Sequence, residues 1–229
     1  MTNFNITIVS DPICPFCYLG KKRLERAIHY YKKTIPGGSA DTFTVTWKPY
    51  YLDPTLPQGK GTPVLERMAS KFGPDRIEAL TQRLTLMGRS EGICFSFQGK
   101  LGNTRDAHRL VQLARQKDAE KGGDEVQERL MSALMSGYFE EGGDITSHEM
   151  LLDAAAKAEM DRAEAKKWLE EGGGGEEVDR EVEGAYAKGI RGVPHFFIND
   201  RFEISGAQDV EEFLGEFVKA KEAEGGIVA

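Results

Sequence analysis

The chain has 229 residues, of which 40% are hydrophobic and 29% charged, a balance that supports a packed core and excludes a disordered polymer. A net charge of −7 leaves no basic face for general nucleic-acid binding, and no apolar run approaches the ~20 residues that span a bilayer. The first residues, Met1 to Asn5, lack a basic segment followed by an apolar stretch, so no secretory signal and a cytoplasmic location are expected.

Phe4 to Val9 is rich in β-formers and ends at Asp11-Pro12, which predicts a strand and then a turn. From Pro15 to about Lys33, Leu19, Leu24, Ala27, Ile28 and Tyr31 recur at helical spacing, and Pro36-Gly37-Gly38 stops that helix. Phe43 to Trp47 alternates apolar and polar residues, a second strand closed by Pro49. A mostly helical stretch follows, from about 60 to 190. Within it, Asn103-Thr104 is placed to cap a helix, and Thr146-x-x-Glu149 and Asp161-x-x-Glu164 read as capping boxes. Gly172 to Gly175 reads as a flexible joint. The end returns to β structure: His195 to Ile198, a tight turn at Asn199-Asp200, and the hairpin partner Phe202 to Ile204. Gly206 to Ala223 reads as a terminal helix.

Neither β-containing end has enough strands for a stable sheet, but together they supply four. The expected fold is therefore α/β. One discontinuous sheet domain, residues 1–58 and 189–229, is built from a βαβ half and a ββα half. A large all-helical domain, residues 59–188, is inserted between them.

Three cysteines do not make a disulfide scaffold, and in a reducing cytosol a close pair is catalytic, redox-sensing or metal-binding. With Cys14 at the helix N-cap, Pro15 falls where its missing N–H costs nothing. The N–H groups of Phe16 and Cys17 then point at the Cys14 sulfur, and with the helix dipole they favour an exposed thiolate. Cys17, one turn on, is near enough to form a disulfide with it, which suits dithiol exchange. Two alternatives stay open. A zinc site needs four ligands, whereas Cys94 is alone and His29, His108, His148 and His195 are scattered. Two inert core cysteines would leave the free donors of the helix's first turn without use.

The stretch Asp11 to Lys21, with Cys14-Pro15-Phe16-Cys17 at its centre, resembles the start of the DsbA family of thioredoxin-fold proteins, in particular the FrnE-like branch. Gly189 to Pro194 followed by Phe196-Phe197-Ile198-Asn199 resembles that family's cis-proline strand. Asn103-Thr104-x-x-Ala107-His108-Arg109-Leu110 resembles its inserted helical domain, and Ser205 to Gln208 the turn into its last helix. The resemblance runs over nearly the whole chain and implies a thioredoxin-like fold. It implies that Cys14 is the attacking thiolate, Cys17 the resolving thiol and Pro194 a cis proline. Pro15, Phe16, Val193, His195 and His108 would then contact substrate, with Val193 presenting its backbone to an extended chain. No metal ligand and no tightly bound cofactor are implied. The expected substrates are disulfide- or dithiol-containing proteins.

Cys-Pro-Phe-Cys also resembles glutaredoxin active sites, which makes glutathione the candidate co-substrate. Kappa-class glutathione transferases and 2-hydroxychromene-2-carboxylate isomerases share the fold, but usually carry Ser at the position of Cys14 and lack the second cysteine. They supply the alternative reading: a glutathione-dependent transferase or isomerase acting on a small aromatic or polyketide-like molecule. A redox-switched binding module is a third. Related proteins often pair, so a homodimer through the helical insertion is a further expectation. Of the remaining residues, Cys94 between Ile93 and Phe95 is expected to be buried, and Lys48 and the charges from Glu159 to Glu183 to be solvated.

Overall fold

In the computed structural model, residues 1–225 are described. Strand β1 (Asn3–Ser10) buries Phe4, Ile6 and Ile8 on one face, and its last three residues are buried on both sides as it enters the interior. Helix α1 (Pro15–Thr34) follows, then β2 (Thr42–Pro49), which pairs parallel with β1. Far along the chain, β5 (His195–Ile198) pairs antiparallel with the other edge of β1, and β6 (Phe202–Ser205) extends the sheet to the order β2-β1-β5-β6. Ile198 pairs with Phe202, so three residues join β5 to β6; Arg201 N–H closes the turn on the Ile198 carbonyl at 3.2 Å, with Asn199 and Asp200 left-handed at φ 50° and 53°.

Helix α9 (Val210–Ala223) packs beside α1 on one face of the sheet. Phe4, Tyr31, Phe43 and Phe217 form an aromatic cluster there, with ring centroids 4.6 to 5.7 Å apart. Lys221 locks α9 down through a buried ion pair with Asp41, at 2.6 Å. The helix begins four residues later than its sequence suggests, because Gly206 to Asp209 form the turn into it.

Between the sheet halves lie two minimal strands and seven helices. Strands β3 (Thr62–Pro63) and β4 (Lys100–Leu101) pair with each other; neither is long enough to leave a sequence signal. The helices are α2 (Val64–Phe72), α3 (Ile77–Ser90), α4 (Arg105–Lys121), α5 (Glu125–Phe139), α6 (His148–Lys157), α7 (Arg162–Glu170) and α8 (Gly175–Ala187). Buried residues of β1, α1, α4, α5, α6 and α7 belong to one continuous apolar cluster. Helix α8 packs on α4 and on the far face of the sheet, where Val9, Tyr50, Ala185 and Ile190 make a smaller core. Among the described residues, no helix is long and apolar enough to cross a membrane.

Two local expectations are corrected, and a third, the cap of α4 at Asn103-Thr104, is narrowed to one residue. At α6 the cap is Ser147, which accepts from Met150 N, because the Thr146 hydroxyl is engaged by Asp144 at 2.7 Å. At α4 it is the Asn103 side chain, not Thr104, that accepts from a first-turn N–H, that of Arg105. Gly172 to Gly175 is a packed turn rather than a flexible joint. A Cβ on Gly173 would lie 2.4 Å from the Trp168 ring, and Arg109 donates to the Gly173 carbonyl.

Candidate active site

The Asp11-Pro12-Ile13 turn carries the chain from β1 into α1, and Cys14 N–H closes it on the Asp11 carbonyl at 2.9 Å. Cys14 is the N-cap of α1, in extended conformation, with Pro15 at the first helical position. Its sulfur accepts no cap bond. The Cys17 N–H goes to the Cys14 carbonyl at 3.0 Å instead, and the sulfur turns toward the Val193 carbonyl oxygen, 3.5 Å away. The expectation that first-turn N–H groups point at the sulfur is therefore corrected. So is its exposure: Cys14 is 2% exposed and is reached through a cavity.

That cavity, about 420 Å³, is lined by Cys14, Pro15, Phe16, Gly192 and Val193 and closed by apolar residues of α2 and α3. Phe16 stands at its edge, 41% exposed. Cys17 lies behind Cys14, buried, and both are free thiols. Burial and the neighbouring Cys14 sulfur push the Cys17 thiol well above its ordinary range, while the Ser10 hydroxyl and the Asp11 backbone act the other way. The Val193–Pro194 peptide is cis. Pro194 packs against α1 at Gly20, where an added Cβ would stand 3.0 Å from the proline ring. Glycine at that helix position lets the Gly192–Pro194 segment approach Cys14.

The two histidines proposed for substrate contact lie elsewhere. His108 is buried on α4, its Nε2 3.2 Å from the Tyr50 carbonyl, and does not line the cavity. Burial lowers its pKa to about 4, so it is a neutral imidazole donating to that carbonyl. His195 faces a second, more open groove of about 980 Å³ on the other side of Gly192, 3.3 Å from Glu203 and against Phe197.

Lys48 lines that same groove and is not a free solvated side chain. It pairs with Glu181 at 2.5 Å, which also accepts from Arg115 and Gln112. Cys94 is exposed, contrary to expectation: its neighbours Ile93 and Phe95 turn into the core and the alternation leaves the thiol outside. Among the described residues, no three His, Cys, Asp or Glu side chains are grouped to hold a metal ion.

Asp11 has a larger part than a turn residue. Fully buried, it accepts from Leu52 N at 2.8 Å and from Ile13 N at 3.4 Å. Its Oδ1 lies 3.8 Å from His108 Nε2. Burial raises its pKa to about 7, against the lowering effect of these bonds. One residue thus fixes the turn before Cys14 and ties it to α4 and to the loop after β2. Its position immediately before Pro12-Ile13-Cys14 was the available signal. The cavity left no such signal, since segments distant in sequence build it.

Comparison with known proteins agrees with this layout. The description "DSBA-like thioredoxin domain" matches residues 5–218. The structure of a probable DsbA oxidoreductase from Streptomyces coelicolor is 27% identical, with a TM-score of 0.81, covering 96% of this chain and 90% of that one. A 2-hydroxychromene-2-carboxylate isomerase superimposes with a TM-score of 0.64 at 17% identity, over 96% of this chain and 97% of the other. The cytosolic disulfide reductase DsbM from Pseudomonas aeruginosa gives 0.50 at 15% identity over the same fractions. These last two show the fold alone. Among curated protein sequences no match was found.

Proposed function

The chain belongs to the DSBA-like thioredoxin-domain family, with that family's thioredoxin-like sheet and a helical insertion, and from this premise we propose that it is a thiol–disulfide oxidoreductase. In the proposed reaction the Cys14 thiolate attacks one sulfur of a substrate disulfide. A Cys14–substrate disulfide forms and the other substrate sulfur leaves as a thiolate. Cys17, once deprotonated, attacks the Cys14 sulfur. The substrate leaves fully reduced, and the enzyme keeps the Cys14–Cys17 disulfide. Two glutathione molecules, or another dithiol, return it to the reduced form and carry away the oxidising equivalent. Run in reverse, the same steps oxidise a substrate dithiol.

The observation that carries this reading is the meeting of a free Cys14–Cys17 pair with the Val193 backbone at one end of a cavity. The backbone beside Cys14 supports recognition of an extended substrate chain by strand-like hydrogen bonds. We further propose that the FrnE-like branch is the right one, that glutathione is the reductant and that the protein works in a reducing, cytoplasmic setting. The test is reduction of insulin disulfides with glutathione as reductant. Wild type is expected to accelerate it and Cys14→Ser to abolish the acceleration; full activity in Cys14→Ser would sink the reading.

The second reading, a glutathione-dependent transferase or isomerase, draws support from the cavity itself, which has the size of a small-molecule site. It leaves Cys17 without a task. It requires saturable glutathione binding that survives Cys17→Ser, which calorimetry measures directly.

A further inference from the structure

The wall of the cavity formed by α2 and α3 has no core of its own to close on. Both helices are amphipathic, yet α2 has no buried residue and α3 has only Gly88. Val64, Met68 and Phe72 of α2, and Leu80, Leu84 and Met87 of α3, line the cavity, and of these Val64 and Met87 also pack against the main core. Apolar helix faces ordinarily pack on a core. Here they enclose a space of about 420 Å³ whose inner end is Cys14, within the range of roughly 300 to 1,000 Å³ seen for small-molecule pockets. The methionines lend such a wall an adaptable shape.

Charge at the cavity is one-sided. Its charged residues are Asp53, Arg67, Lys71 and Arg83. Asp53 is engaged by Arg67 at 2.5 Å, and the Arg67 Nε is buried without a hydrogen-bond partner. Lys71 and Arg83, both exposed, have no carboxylate partner among the described residues. In a chain of net charge −7, this mouth is cationic.

We infer that the cavity binds an amphipathic organic anion, its aliphatic or aromatic body held between α2 and α3 and its acidic group met by the cations at the mouth. The apolar walls supply affinity and the cations select the sign of the head group. Cys14 stands at the inner end of this cavity, but binding requires the apolar walls and the cations and not the sulfurs.

The experiment uses the full chain carrying Cys14→Ser and Cys17→Ser, titrated calorimetrically at low ionic strength with decanoate, decylamine and acetate. Decanoate is expected to bind at least about tenfold more tightly than either, since decylamine is a cation of opposite sign and acetate lacks the apolar body. Changing Lys71→Glu and Arg83→Glu together, both on the surface, weakens decanoate by about fivefold or more and turns the preference toward decylamine. Leu84→Trp, which fills the space, removes decanoate binding, with a thermal melt reporting that the chain is folded. In the wild-type protein, saturating decanoate slows alkylation of Cys14 by iodoacetamide and leaves Cys94 unaffected. Equal binding of decanoate and decylamine, unchanged binding after the double charge reversal, or undiminished Cys14 alkylation would each overturn the inference. Because binding is read on a chain without either sulfur, its failure leaves the dithiol reaction standing, and the converse holds too.

Discussion

The Cys14 sulfur and the Val193 carbonyl oxygen lie 3.5 Å apart, although 179 residues separate them in the chain. A disulfide seated at Cys14 therefore also meets the backbone that precedes β5. On the proposed reaction, the nucleophile and the surface that aligns its target would be one site, made by the first turn of a helix and the segment leading into a strand.

The three thiols should react in a fixed order. Cys94 is exposed, Cys14 opens into the cavity, and Cys17 is buried with its pKa pushed up. Iodoacetamide near neutral pH should therefore label Cys94 and Cys14 before Cys17. Cys17 should gain label only as the pH is taken well above its ordinary range. Peptide mass mapping over time gives the order; early labelling of Cys17 would contradict its burial.

If Cys17 resolves the mixed disulfide as proposed, removing it should trap the intermediate. Cys17→Ala exposed to oxidised glutathione is expected to accumulate an adduct at Cys14 that wild type resolves into its own disulfide. Intact-mass measurement distinguishes the two. An adduct equally stable in wild type would mean that Cys17 does not attack the Cys14 sulfur.

Asp11 and His108 should give opposite pH dependences of stability. The Asp11 pKa is raised from 3.8 to about 7. Between these values the folded chain keeps a proton that the unfolded chain releases, so the Asp11 contribution falls as pH rises. The His108 pKa is lowered from 6.5 to about 4. In that window the unfolded chain holds a proton that the folded chain lacks, so the His108 contribution rises with pH. At about 1.4 kcal/mol per pH unit, each amounts to a few kcal/mol. Relative to wild type, Asp11→Asn should gain stability from about pH 4 to 7, and His108→Gln should lose it from about pH 4 to 6.5. Urea denaturation across that range checks both signs.

Gly20 should not tolerate a side chain. An added Cβ stands 3.0 Å from both Pro194 and the Phe196 ring. Gly20→Val should cost about 1–3 kcal/mol by overpacking. It should also slow disulfide reduction, because the displaced element is the one that holds Val193 at Cys14. Gly184, in α8 with open space around it, is the control: Gly184→Ala should leave activity alone and add about 0.5–1 kcal/mol.

Much of this arrangement was legible in the sequence because its signals are local. A strand, a turn and a proline-led helix placed Cys14 and Cys17. The paired turn residues Asn199 and Asp200 placed the hairpin, and the four-strand requirement joined the chain's two ends. What escaped depends on partners far away. The partner of Lys48 is Glu181 on α8, and the tight turn at Gly173 is set by Trp168, so composition alone suggested solvent in one case and flexibility in the other. Cys94 was legible in principle. With Ile93 buried and Phe95 packed inward, the residue between them is left to the outside. The cavity was beyond local reading, since α1, α2, α3 and the segment before β5 must all be in place before it exists.

The central strand β1 pairs with β2 on one edge and with β5 on the other, and the whole helical block lies between those partners in the chain. During synthesis, β1, α1 and the two cysteines leave the ribosome early, while the second edge of β1 waits for residues 195–198. Such non-local pairing is slow to form, and an open edge is vulnerable to wrong partners in the meantime. The growing chain thus carries its dithiol before it has the backbone that faces it, and the proposed reactive centre is completed only when the last part of the sheet arrives.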